Sequence, residues 1–238
     1  MTIRFAPILV ALGMLALLTG CESGVLVFPT PQPAKVRFVN VTSDIATVRV
    51  VVDAATTVDV ARGDASDYTD VGAGRQVAVV VTEPDPDPAD ATPSRIFVDT
   101  TKYTFGEEAR VILFVFGDTT GTTAFRREIQ DTVLPSPTST PVIRFTHMAL
   151  SVDKAYFVDV FITGGRQLFA NQEFSPGISA STYEEIEPGT YTFELRESGT
   201  TNVVAILRDV TIEAGRPYML YSYDAAPPEL DAVALSIF

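Results

Sequence analysis

From Val36 onward, short runs of alternating or β-branched apolar side chains recur to the end of the chain, broken by clusters of Gly, Pro, Asp, Asn, Ser and Thr. Val36-Arg37-Phe38-Val39-Asn40-Val41 and Val48-Arg49-Val50-Val51-Val52-Asp53 predict two strands. Further strands are predicted over residues 77–82, 95–98, 110–116 and 123–129, separated by turns such as Gly72-Ala73-Gly74 and Gly117-Asp118-Thr119-Thr120-Gly121. In the second half Tyr191, Phe193 and Leu195 alternate with Thr192, Glu194 and Arg196, which puts one face in a core and the other in water. Tyr218-Met219-Leu220-Tyr221-Ser222-Tyr223 is followed by Asp224-Ala225-Ala226-Pro227-Pro228 and a last run over residues 230–238, so each half ends in a hairpin. No amphipathic helix competes with this pattern. Seven or so short strands per half, with turns every ~8–12 residues, predict an all-β chain of tandem sandwiches.

The halves are copies of each other. Val36-Arg37-Phe38 matches Ile143-Arg144-Phe145 at an offset of 107, and residues 48–53 match 158–163 at an offset of 110. Tyr68 to Gly74 matches Tyr183 to Gly189 as Tyr-x-x-(Val/Ile)-x-x-Gly, at an offset of 115, and residues 110–118 match 216–224 at an offset of 106. Leu134-Pro135-Ser136-Pro137-Thr138-Ser139-Thr140-Pro141 holds three prolines in eight residues and reads as the boundary between them. The expected organisation is a leader over residues 1–20, a Pro-rich tether over 21–34, a first sandwich over 35–133, a linker over 134–140 and a second sandwich over 141–238.

The leader carries an address. Arg4 supplies a positive start, and the apolar run to Leu18 is shorter than the ~20 residues that span a hydrocarbon core. Leu18-Thr19-Gly20-Cys21 resembles the lipobox at which bacterial lipoproteins are lipidated and cut. That resemblance implies a lipid on the sulfur of Cys21 and a signal peptide removed before it, with anchoring through acyl chains and no spanning helix. Glu22 follows the cysteine in place of the Asp that resembles an inner-membrane retention signal, so outer-membrane delivery is expected in a Gram-negative cell.

Charge and the candidate side chains narrow the chemistry. The chain has a formal charge of −13, and losing the leader, whose one charged side chain is Arg4, makes it −14. Such a balance repels polyanions and argues against a nucleic-acid partner. Cys21 is the only cysteine, so no disulfide forms within one chain and burial alone must hold the fold, a load expected to fall on Phe38, Val50, Phe145, Phe193 and Leu195. His147 is the only histidine, and any His-dependent acid–base step would pass through it; it stands where the first copy has Asn40, and no Gly-x-Ser-x-Gly elbow accompanies it. One histidine and a lipidated cysteine cannot supply the ligands of a zinc site. Asp85, Asp87 and Asp90 could offer oxygen ligands to a hard cation, but the interleaved prolines extend that segment and it lacks the glycine that folds a calcium loop around its ion. Tyr218, Tyr221 and Tyr223 divide between the two faces of their strand and read as core residues in preference to a sugar platform. No catalytic residue, cofactor or metal site is assigned.

Taken together, Val36 to Asn40, residues 48–53, Asp67-Tyr68 with Val71 and Gly74, and their counterparts through Glu213-Ala214-Gly215-Arg216-Pro217-Tyr218, resemble the domain of unknown function 4397 in both copies. The resemblance implies immunoglobulin-like β domains in an exported or lipid-anchored bacterial protein, and it brings no functional residues. The expectation is therefore a lipid-anchored cell-envelope module that contacts another envelope protein or a glycan. The alternative is a hydrolase or a cation-dependent ligand binder whose site is assembled from residues distant in sequence. A cleft that holds His147 beside a hydroxyl and a carboxylate would favour that alternative.

Overall fold

The computed structural model describes residues 31–84, 96–117, 125–130, 140–149, 157–174, 181–225 and 233–238. These form sixteen strands and no helix. The first copy contributes β1 (Ala34–Thr42), β2 (Thr47–Val52), β3 (Thr56–Ala61), β4 (Thr69–Val71), β5 (Gln76–Thr82), β6 (Ile96–Thr104), β7 (Arg110–Gly117) and β8 (Phe125–Gln130). The second contributes β9 (Val142–His147), β10 (Phe157–Ile162), β11 (Gln167–Glu173), β12 (Glu184–Glu185), β13 (Gly189–Glu197), β14 (Val203–Ile212), β15 (Pro217–Asp224) and β16 (Val233–Ile237). The tandem β-sandwich architecture expected from the sequence is what the structure shows. Eight strands per copy are described against the seven or so expected.

Both copies have the same topology. In the first, sheets β4-β1-β7-β8 and β3-β2-β5-β6 face each other; in the second, β12-β9-β15-β16 faces β11-β10-β13-β14, the same order throughout. The centre of one sheet in each copy is a parallel pair, β1 with β7 and β9 with β15, while the other pairings are antiparallel. In β2, Val48, Val50 and Val52 enter the first core while Thr47, Arg49 and Val51 alternate away from it. Asp53, Ala54 and Ala55 turn the chain between the paired Val52 and Thr56, with Asp53 and Ala54 in the left-handed region at φ of 50° and 55° and the Ala55 amide donating to the Val52 carbonyl at 3.0 Å. The Asp53 carboxylate then accepts the Ala78 amide at 2.8 Å and pairs with Arg75 at 2.6 Å, fastening the hairpin end to β5.

The ladders correct one alignment. Lys35 pairs with Arg110 and Val142 with Pro217, so β15 follows β7 at an offset of 107, the same as β9 to β1, and not at the 106 suggested by matching Arg110 to Arg216. A one-residue slip would exchange the two faces of a strand. At 107, Leu113 and Leu220 both point into the core of their own sandwich, and the pairs Ile112 and Met219, and Phe114 and Tyr221, both point away from it.

Those outward side chains are covered. Val39, Val41, Ile112, Phe114 and Phe116 of the first copy meet Met148, Met219 and Tyr221 of the second in a third core, so residues 31–238 form one compact unit. Phe114 meets Tyr221 edge-on at 5.7 Å, and the Tyr221 hydroxyl donates to the Gly63 carbonyl at 2.7 Å. The order of layers is thus outer sheet, junction sheet, junction sheet, outer sheet, and β7 is buried on both faces. Its continuous Val-Ile-Leu-Phe-Val-Phe run is what such a strand requires. Phe38, Val50, Phe145, Phe193 and Leu195 are all buried, as expected.

Candidate functional site

One strand position holds a buried polar residue in both copies. Asn40, fully buried, donates through Nδ2 to the Val60 carbonyl at 3.1 Å and to the Ile45 carbonyl at 3.4 Å, and its Oδ1 accepts the Thr42 amide and hydroxyl. It ties the end of β1 to the chain entering β2. At the equivalent place His147 lies 2.6 Å from Ser222 Oγ through Nδ1, across the β9–β15 pair, where the first copy sets Asn40 beside Val115. The imidazole lies parallel to Phe145 and edge-on to Phe174. His147 is 3% exposed and Ser222 is 0% exposed, so this pair is a core contact and not a surface residue at a strand end. A hydroxyl does stand beside the histidine, but both side chains are buried.

One opening among the described residues lies at one end of the third core. Arg37 and Arg144 occupy equivalent positions on β1 and β9, each between two inward apolar residues, and so point to the junction. The Arg37 guanidinium lies 4.4 Å from the centre of the Tyr68 ring, and Arg110, at the start of β7, lies 4.1 Å from the same ring. Arg144, 6% exposed, lies 4.8 Å from the ring of Tyr183, the counterpart of Tyr68. These cation–π contacts hold planar cations against aromatic faces at modest energy, ~0.5–2 kcal/mol each. Arg216 joins them from the turn before β15, paired with Glu213 at 2.6 Å, which holds its guanidinium even more firmly protonated. Together they line a cavity of about 120 Å³ floored by Ile112 and Met219.

Neither the cavity nor its arginines is predicted from the sequence, although both copies carry the signal. A Val/Ile-Arg-Phe run places a cation between two apolar residues in each copy, and the Tyr-x-x-(Val/Ile)-x-x-Gly pattern supplies the ring it rests on. The tyrosine of that pattern takes its role from the Arg that the neighbouring strand lays against it.

Known proteins add little. The sequence matches no protein-family model and no curated protein. Among solved structures, the chain is similar to the Bacillus anthracis TIE protein at 7% identity and a TM-score of 0.21, over 79% of this chain and 33% of that one. It is likewise similar, at 8% identity and a TM-score of 0.21, to a Bacteroides thetaiotaomicron protein of the domain of unknown function 1812, described as a candidate polysaccharide binder, over 86% of this chain and 95% of that one. The chain thus spans about a third of the first. At these scores neither likeness supports an argument about this molecule, whose fold is read from its own sheets.

Of the remaining sequence candidates, Cys21 and the acidic residues Asp85, Asp87 and Asp90 lie outside the described residues, as does most of the 134–140 linker. Tyr221 and Tyr223 share the junction face, and Tyr218 points to the second core with its hydroxyl accepting the Glu213 amide. Burial pushes the phenol pKa of both Tyr221 and Tyr223 up. Among the described residues no group of three His, Cys, Asp or Glu side chains could hold a metal, and no helix is long and apolar enough to cross a membrane.

Proposed function

We propose that this chain is a non-catalytic binding module of the cell envelope, held at the membrane by lipid on Cys21 and contacting a glycan or another envelope protein. We extend this to the resemblance of both copies to the domain of unknown function 4397. The observation that supports the module over a hydrolase is the walling-in of the His147–Ser222 pair. Nucleophilic attack needs Ser222 Oγ within about 3 Å of a substrate carbonyl, and at 0% exposure that oxygen meets only protein.

The first copy shows how to remove any Ser–His chemistry while keeping the packing, because Asn40 beside Val115 fills the same place there. His147→Asn combined with Ser222→Val is expected to rescue the envelope phenotype of a deletion strain in full. Loss of rescue, in protein shown to be folded and anchored, would sink the module and leave the hydrolase. In the same strain a variant with Asn at 85, 87 and 90 is also expected to rescue, and its failure alone would point to a cation-dependent binder. Cys21→Ala is expected to shift the protein out of the membrane fraction; unchanged partition would remove the lipid anchor from the proposal.

A further inference from the structure

We infer that Met219 is a modification site, oxidised to its sulfoxide through the junction cavity, and that this change loosens the coupling between the two sandwiches. The chain has four methionines; Met1 and Met14 fall in the leader, and the other two, Met148 and Met219, both sit in the third core. Their equivalents in the first copy are Val41 and Ile112, which pack into the same layer from the other side and carry no sulfur. Packing at these positions therefore does not require a thioether. After the leader, every methionine of the chain lies on one side of the layer that joins the copies.

The two sulfurs differ in access. Met219 lines the cavity and Met148 does not, although both side chains are buried, at 2% and 0% exposure. Arg216 lines the same cavity with a side chain 62% exposed, so the cavity reaches solvent. The guanidiniums around it are engaged with Tyr68, Tyr183 and Glu213, which leaves the cavity the part of a passage for a small molecule. Its volume of about 120 Å³ is that of roughly four liquid waters at ~30 Å³ each, so hydrogen peroxide, with two heavy atoms, enters it. Peroxide is neutral and escapes the repulsion that an acidic chain exerts on anions. The Met219 Sδ lone pair attacks one peroxide oxygen, the O–O bond breaks, and the proton on the transferred oxygen passes to the departing hydroxide to give water. Sulfur is oxidised by two electrons and peroxide is reduced. The sulfoxide is bulkier and polar, in a close-packed layer shared with Ile112, Phe114 and Tyr221 that a flexible apolar thioether had fitted. Among the described residues the inner core of each sandwich holds no methionine, so the change is confined to the junction.

Peptide mapping by mass spectrometry and scanning calorimetry of the full-length chain in detergent, before and after hydrogen peroxide, test the inference. In the chain unfolded by guanidinium, Met148 and Met219 are expected to oxidise at equal rates. In the folded chain Met219 is expected to gain its oxygen several-fold faster than Met148, because susceptibility follows access. The oxidised protein is expected to unfold in two transitions where the untreated protein unfolds in one. Met219→Ile, which installs the first copy's residue, is expected to unfold in one transition before and after peroxide, while Met148→Val keeps the response. Should Met219→Ile fail to fold, as judged by circular dichroism, Met219→Leu takes its place with the same expectation. Equal oxidation of the two methionines in the folded chain overturns the site, as does an unmodified Met219 at a dose that oxidises it in the unfolded chain. Two transitions before treatment, one transition once Met219 is oxidised, a Met219→Ile protein that still splits, or a Met148→Val protein that no longer does, overturns the loosening.

Discussion

Asp159 sits in β10 at 7% exposure, and a carboxylate so placed is sustained only by its donors. Burial pushes its pKa up, but the Asn171 amide at 2.6 Å, the Gly199 amide at 3.1 Å and the Ser198 hydroxyl at 3.0 Å outweigh that and hold it below the usual carboxylate value. These donors come from the neighbouring strand β11 and from the turn between β13 and β14, so one side chain fixes the ends of two hairpins. Asp53, through the Ala78 amide and Arg75, is lowered in the same direction. A carboxylate whose folded pKa is lowered contributes stability that is fully present above the unfolded value near pH 4. That contribution is lost as pH falls through the folded value. Asp159→Asn is therefore expected to cost about 1–3 kcal/mol at pH 7, since an amide opposes an NH₂ to at least one donor. The gap to wild type should narrow by pH 3. Thermal unfolding at the two pH values checks this, and a gap that widens in acid would refute it.

For whole elements the decisive feature is the face each strand presents. β7 is apolar on both sides from Val111 to Phe116, and the loop that follows β3 must fit against the second copy. Gly63 lies there with φ of +79°, a conformation costly for a side chain, and a Cβ placed on it would stand 2.1 Å from the Tyr223 hydroxyl. The same residue's carbonyl accepts the Tyr221 hydroxyl. Gly63→Ala is expected to destabilise the protein by about 2–3 kcal/mol, from backbone strain and the displaced ring together. Gly164, also at positive φ but with open space where a Cβ would stand, is the control and should lose only the strain component, about 1 kcal/mol. Equal losses at both sites in chemical denaturation would show that the Tyr223 contact does not matter.

On the scale of the molecule, the third core turns two sandwiches into a single body. The same face of each copy is used, Val41 and Met148, Ile112 and Met219, Phe114 and Tyr221 being equivalent positions. This is the self-complementary logic of a symmetric dimer, applied within one chain. Phe114→Ala removes a fully buried ring from that core and is expected to cost about 3–4 kcal/mol. Wild type should unfold in one calorimetric transition, and the variant, with its two inner cores intact but less tightly coupled, in two. A single transition in both would mean that the sandwiches are coupled by something other than this core.

Strand periodicity, turn residues and repeated patterns are local properties that packing then obeys, so the class of fold and its duplication are legible in the chain itself. Alternation alone places Phe193 and Leu195 in a core. The uninterrupted apolar run of β7 is equally plain, but a run that is buried on both faces does not say what covers the second face. Packing at long range supplies that answer, and the cover is the other copy. The one-residue error in matching Arg110 to Arg216 has the same origin: identity of type suggests one alignment, and the parallel ladder, which couples residues about seventy-five apart, enforces another. His147 reads along the chain as a residue at the end of a strand, and it is the β9–β15 pairing that sets Ser222 against it. Arg37, Tyr68, Arg144 and Tyr183 are visible as repeated letters, yet a cavity depends on which strands cross at a junction, and that is fixed by long-range burial and not by the order of neighbours along the chain.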